Sequence, residues 1–150
     1  MKKIITLVAE YPPYYVGGIG INTYDLNCHL NSDEYRMLTL TFTLDSHMQI
    51  KELEETIYIG VPKQNVMNEK SYEAKYECQN RDMIQAFEEI YTKQLIDLSD
   101  VELVILHGYF LAGAAIYIAK KLKKALIYYL HVQYAGKLYD NDTISRDEYG

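Results

Sequence analysis

Residues 3–9 (KIITLVA) form an unbroken run of aliphatic and β-branched side chains that stops at Glu10. A strand that is apolar on both sides must be covered on both faces, as in a parallel sheet between helix layers. Residues 11–20 follow as a turn-rich segment with Pro12, Pro13, Gly17, Gly18 and Gly20. The spacing of Ile21, Tyr24 and Cys28 predicts a short helix over 21–30 with those three side chains on one apolar face. Alternating Leu and Thr in 36–44 (RMLTLTFTL) predicts a second strand. Residues 48–55 read as one or two helical turns, 56–61 (TIYIGV) as a third strand closed by Pro62, and 64–71 as a polar loop.

The strongest helical pattern covers 75–98, where Tyr76, Met83, Phe87, Ile90, Leu95 and Leu98 recur at three- and four-residue steps. This phase buries Phe87, Ile90 and Tyr91 and turns Gln85 and Glu88 to water. Residues 101–106 (VELVIL) predict a fourth strand and 110–122 a helix whose Ala112, Gly113, Ala114 and Ala115 let it lie close to a sheet. Residues 125–130 (ALIYYL) predict a fifth strand, and the polar stretch from Asp140 a loop or frayed end. Strands alternating with helices imply right-handed βαβ crossovers and a doubly wound, Rossmann-like parallel sheet. The expectation is one α/β domain over 1–150.

Composition narrows the function classes. With 150 residues, 49% hydrophobic and 24% charged, the chain can bury a core unaided. A net charge of −6 argues against a nucleic-acid partner. Cys28 and Cys78 make no CxxC pair and read as buried free thiols, which fits a reducing, cytoplasmic location. Lys2 and Lys3 precede an apolar run too short for an export signal, and no stretch reaches the ~18 apolar residues of a membrane span. Lys120, Lys121, Lys123 and Lys124 close a helix, where cations suit the dipole. The alternative for them is a phosphate or membrane-surface patch, which would make the protein peripheral. His29 and His47 form no metal-ligand pair, so no metal site is expected.

The chemistry concentrates at three strand ends. In an open parallel sheet ligands bind beyond the carboxyl ends, where strand order reverses. The first strand runs into Glu10 and the glycine loop, the fourth into His107, Gly108 and Tyr109, and the fifth into His131. In the order 3-2-1-4-5 these ends are neighbours. Gly17, Gly18 and Gly20 open a helix, so first-turn N–H groups and the helix dipole face an approaching anion. The run Gly18-Ile19-Gly20-Ile21-Asn22-Thr23 gives G-x-G-x-x-T, without the third glycine of a dinucleotide fingerprint, and a long loop separates it from the strand. Asp45 after the second strand would imitate the ribose-binding acid but does not repair that spacing. There is no P-loop and no G-x-S-x-G elbow.

Glu10-Tyr11-Pro12-Pro13 followed by Gly17-Gly18-Ile19-Gly20 resembles family 4 glycosyltransferases, retaining enzymes of the two-domain GT-B fold. Residues 100–131, a strand ending at His107, a small-residue helix and a strand ending at His131, are also similar to theirs. The resemblance covers nearly the whole chain but only the amino-terminal half of such an enzyme. It implies an acceptor-side domain whose Gly17, Gly18 and Gly20 approach the diphosphate of a nucleotide sugar. It assigns contact with the transferred sugar to His131, as the catalytic residue, and makes Glu10, His107 and Tyr109 lining residues. No cofactor is implied beyond the donor substrate. The partner it implies is a carboxy-terminal donor-binding domain, either on a longer chain or as a second subunit, and the 150-residue chain alone is expected to be inactive. Storage-glucan synthases carry a lysine two residues before the Gly-Gly pair, where this chain has Tyr15, so that substrate class is disfavoured.

A retaining transferase can let the leaving diphosphate assist the acceptor, so the absence of a flanking carboxylate pair is compatible with it. The competing readings are a non-catalytic α/β binding or regulatory module and a nicotinamide-dependent oxidoreductase domain.

Overall fold

A computed structural model describes residues 1–14, 17–63 and 71–130 of the chain. Along them run β1 (Lys2–Leu7), α1 (Gly18–Leu30), β2 (Tyr35–Thr43), β3 (Gln49–Glu52), β4 (Ile57–Pro62), α2 (Tyr72–Lys93), β5 (Val101–His107), α3 (Ala112–Leu122) and β6 (Ala125–Tyr129). They build one six-stranded sheet in the order β3-β4-β2-β1-β5-β6. All pairings are parallel except β3 with β4. The five strands expected from the sequence are β1, β2, β4, β5 and β6, and they stand in the order 3-2-1-4-5 in which their chemistry-bearing ends are neighbours.

The added strand corrects the helical turns expected over 48–55. Gln49 pairs with Gly60 and Glu52 with Ile57, an antiparallel hairpin at the sheet edge. The Arg36 guanidinium fixes its turn by donating to the carbonyls of Leu53 at 2.7 Å and Glu54 at 3.0 Å. Those long-range bonds, invisible to a local pattern, select strand over helix. The loop expected over 64–71 lies outside the described residues apart from Ser71, which caps α2: its Oγ accepts the Ala74 N–H at 3.1 Å. The loop from Asp140 also lies outside them.

Pleating divides the strands between two faces. Ile5, Leu7, Leu38, Leu40, Ile59, Val104 and Leu106 point to one face and meet Met83, Phe87 and Ile90 of α2 and Ala114, Ala115 and Ile118 of α3. The small residues of α3 bring its backbone onto this layer. Each buried aliphatic side chain here contributes about 1.5–3 kcal/mol. The helix α2 ends earlier than its pattern suggests, because Gln94 takes the left-handed conformation at φ 53°. Tyr91, expected inside, is 43% exposed and lies under the Lys121 ammonium, 4.7 Å from its ring centre. Glu88 is drawn to α3, accepting from Tyr117 Oη at 2.5 Å and Lys121 Nζ at 2.7 Å.

The opposite face is covered by α1, and here the expected helix phase is reversed. Gly20, Thr23 and Asn27 are buried, whereas Ile21, Tyr24 and Cys28 are exposed. The reason lies in the strands beneath. Thr6, Thr39, Thr41 and Thr43 are all buried, so inward helix positions need small or hydrogen-bonding side chains. Asn27 Nδ2 donates to Thr39 Oγ1 at 2.8 Å and to Tyr11 Oη at 3.2 Å. Of the two thiols expected inside, Cys78 is buried and Cys28 is not.

Candidate functional site at the carboxyl edge

The chain leaves β1 with Val8 still tied to β2, its N–H donating to the Leu40 carbonyl at 3.1 Å. Tyr11 then anchors the loop. Its ring is buried, and its hydroxyl donates to Glu55 Oε1 at 2.9 Å while accepting from Asn27. Burial pushes this phenol far above its ordinary pKa, so it stays protonated. Tyr14 Oη donates to Asp45 Oδ2 at 3.0 Å, and Thr43 Oγ1 donates to the same carboxylate oxygen at 3.3 Å. Asp45 is therefore held by the loop and by β2.

Gly17 is the N-cap of α1, with no side chain to cap the helix. The three loop glycines differ in what they face. A Cβ on Gly17 would lie 2.5 Å from Glu10 Oε1, and one on Gly20 would lie 3.2 Å from the Glu10 carbonyl oxygen. A Cβ on Gly18 would meet nothing within 4 Å among the described residues. Glu10 is folded over the start of the helix, where its Oε1 accepts the Gly20 N–H at 3.4 Å.

The end of β5 adjoins this loop because β1 and β5 are sheet neighbours. Gly108 turns the chain at φ 75°, where a side chain would be strained, and its missing Cβ would lie 3.7 Å from Ile19 Cδ1 in the first turn of α1. His107 is 2% exposed, with its ring 5.1 Å from that of Tyr129. It sits beneath this edge. Tyr109 is half-buried, edge-on to Tyr76 and 4.4 Å from the Phe110 ring. Glu10, Gly17, Gly18, Gly20, His107 and Tyr109 thus share one edge, as the strand order requires. His131 lies outside the described residues.

Sequence reasoning missed Asn80, which locks the start of α3. Its Oδ1 accepts the Ala114 N–H at 2.7 Å, while its Nδ2 donates to the carbonyls of Tyr76 at 2.7 Å and Phe110 at 2.8 Å. An Asn placed among the apolar positions of a helix, in step with Tyr76, Met83 and Phe87, was the available signal. On the α2 side of the sheet, a cavity of about 310 Å3 lies between Ser46, His47 and Met48 and the helix residues Asp82, Gln85 and Glu89.

No protein-family model matches the chain, and no curated protein is similar to it in sequence. Among solved structures, sucrose-phosphate synthase from Thermosynechococcus elongatus superposes with a TM-score of 0.67 at 15% identity, over 95% of this chain and 36% of that one. Trehalose-6-phosphate synthase from E. coli, bound with UDP-2-fluoro glucose, superposes with a TM-score of 0.58 at 11% identity, over 87% of this chain and 33% of that one. The fold is the Rossmann-like half of a GT-B architecture. The chain spans about a third of the length of these neighbours. They support GT-B without singling out family 4. No helix among the described residues is long and apolar enough to cross a membrane.

Proposed function

We propose that the chain is the acceptor-side domain of a retaining, family 4-like glycosyltransferase that moves a sugar from a nucleotide diphosphate sugar to an acceptor. The observation that carries this reading is the position of the Gly17–Gly18–Gly20 turn. It opens a 13-residue helix at the carboxyl edge, against the end of β5, in a chain with the GT-B half-fold. First-turn amides and the helix dipole there suit the developing charge of a leaving diphosphate. The solved neighbour bound with UDP-2-fluoro glucose supports a nucleotide sugar as the donor class. Within this reading Gly18 admits the diphosphate, Tyr109 and Glu10 line the site, His107 supports it from below, and His131 contacts the transferred sugar. The reaction needs a second wall, supplied by a donor-binding domain or subunit.

One wall binds weakly. A helix terminus contributes about 1–2 kcal/mol in a partly exposed site, far from the ~8 kcal/mol of micromolar affinity. The 150-residue chain is therefore expected to bind nucleotide sugars only weakly and to transfer none. Calorimetric titration with UDP- and GDP-sugars, beside an assay for released nucleotide, tests this. Turnover by the isolated chain would overturn the half-enzyme reading. Tight binding of a nicotinamide dinucleotide would replace it with the oxidoreductase reading.

A further inference from the structure

Asn27 is fully buried between α1 and the sheet, and the protons around its amide can be counted. The Tyr11 proton goes to Glu55 at 2.9 Å, so Tyr11 Oη can only accept, and it is Asn27 Nδ2 that faces it at 3.2 Å. Asn27 Nδ2 also donates to Thr39 Oγ1 at 2.8 Å. Thr56 donates to the Met37 carbonyl at 3.0 Å, so the 2.9 Å bond between Thr39 and Thr56 uses the Thr39 proton. Thr23, one turn before Asn27 on α1, donates to the Ile19 carbonyl at 2.7 Å. These bonds fix the orientation of the amide, and none of the protons reaches Asn27 Oδ1, which is buried without a hydrogen-bond partner among the described residues. Two hydroxyls on the same face of the sheet share that condition. Thr6 stands beside Thr39 in the β1–β2 register, and Thr41 lies two residues further along β2. Both are fully buried, and neither hydroxyl has a partner among the described residues.

The three groups are complementary: one oxygen that only accepts, and two hydroxyls with protons to give. Native interiors pair nearly all such groups, with protein or with ordered water, because burial without a partner forfeits their hydration. We propose that the seam between α1 and the sheet is a binding site for one ordered water, which accepts from the Thr6 and Thr41 hydroxyls and donates to Asn27 Oδ1. Three hydrogen bonds are the usual complement of an internal water. The occupant must accept as well as donate, which water does and a metal cation does not. The water closes the polar network of this face and holds the Asn27 amide in the orientation that donates to Tyr11. It therefore helps to position the loop that Tyr11 anchors. The site stands apart from the donor reading and holds whether or not the chain binds a nucleotide sugar.

The test uses the full 150-residue chain, labelled with 15N and 13C. Water-selective NOE and ROE spectra should show cross-peaks of opposite sign from water to the Asn27 side-chain amide and to the Thr6 and Thr41 methyl groups. A threonine hydroxyl that exchanges with solvent can imitate such peaks, so oxygen-17 relaxation dispersion, which reports the water oxygen itself, is measured beside them. The double variant Thr6→Val/Thr41→Val takes two of the three partners from the water. It should lose the peaks at Asn27, reduce the dispersion amplitude by about one long-lived water per protein and lower the denaturant midpoint. Thr6→Ser keeps the hydroxyl and should keep the peaks and the amplitude. Absence of the Asn27 peaks in wild type overturns the proposal, as does a dispersion amplitude that is the same in wild type and double variant. A raised midpoint in the double variant also overturns it, because exchanging two unpaired buried hydroxyls for methyl groups stabilises a dry seam. If the double variant does not fold, the wild-type and Thr6→Ser spectra decide alone.

Discussion

The two faces of the sheet are built from different chemistry. The α2/α3 face is hydrocarbon: Leu38, Leu40 and Ile59 meet Met83, Phe87 and Ala115. The α1 face mixes hydrocarbon with polar groups: Ile4, Met37 and Ile105 are buried there beside Leu30, and Thr39, Thr56, Asn27 and Tyr11 form a chain of hydrogen bonds of 2.8–3.2 Å. The first face resists change through close packing, because removed volume leaves a cavity. The second resists it through polar satisfaction, because each removed group orphans its partners. The glycine loop is fastened to the second kind. Tyr11 is the link, since its hydroxyl bonds both α1 and Glu55 beside the β3–β4 hairpin. The loop is therefore held by directional bonds that fix the entry to α1, whereas the opposite layer supplies bulk stability.

The contrast can be broken first where it is largest. Phe87→Ala empties a site that is 1% exposed in the hydrocarbon layer. It should cost about 3–5 kcal/mol, read as a lowered denaturant midpoint with the slope unchanged. On the other face, Asn27→Ala removes donors to Thr39 and Tyr11 but little volume. A cost of about 1–3 kcal/mol is expected, together with a shift of the loop glycine amides. Phe87→Ala should leave those amides in place. A cost for Asn27→Ala as large as that for Phe87→Ala would mean the α1 face is held by packing after all.

The same difference explains how far the fold was legible. Hydrophobic periodicity found β1, β2, β4, β5 and β6 and both helices of the aliphatic face, because those elements are selected by apolar burial. It failed on α1, where Ile21, Tyr24 and Cys28 mark the outer side and the buried Thr23 and Asn27 look like surface residues. It failed on β3, whose Gln49, Lys51 and Glu52 sit at an edge and carry no strand pattern; Arg36, distant in sequence, fixes the hairpin turn. At the site, the glycines and the β5 end were readable from spacing. The folding of Glu10 onto Gly20, and the capping of α3 by Asn80, depend on tertiary approach and leave no local trace.

A smaller effect tests the link between the two helices of the aliphatic face. The Glu88 pKa is lowered, chiefly by its hydrogen bond from Lys121 and then by that from Tyr117. A depressed folded-state pKa means this contribution is present at neutral pH, above the unfolded value, and is lost as pH falls through the folded one. Glu88→Gln should therefore lower Tm at neutral pH slightly and remove part of its decline between about pH 5 and the lower end of the carboxylate range. Parallel melts of the two proteins across that interval check it. Identical acid limbs would show that the α2–α3 bridge carries no linkage.

The smallest expected effect is the most discriminating about α1. The apolar spacing of Ile21 and Cys28 places both on an inner face, and the structure places Ile21 at 48% exposure with Cys28 also outside. If the inner placement held, Ile21→Ser would bury a hydroxyl and forfeit an aliphatic contact, at about 2–4 kcal/mol. In the observed phase, Ile21→Ser and Cys28→Ser change surface positions and each should stay within about 0.5 kcal/mol. Thr23→Val supplies the reciprocal measurement. Thr23 is fully buried and its hydroxyl donates to the Ile19 carbonyl at 2.7 Å, so the nearly isosteric change removes one hydrogen bond and should cost about 1 kcal/mol. Denaturant melts of the three variants therefore rank a buried hydroxyl above two apolar side chains. The reverse ranking would turn α1 over and detach Asn27 from Tyr11, and with it the anchoring of the glycine loop.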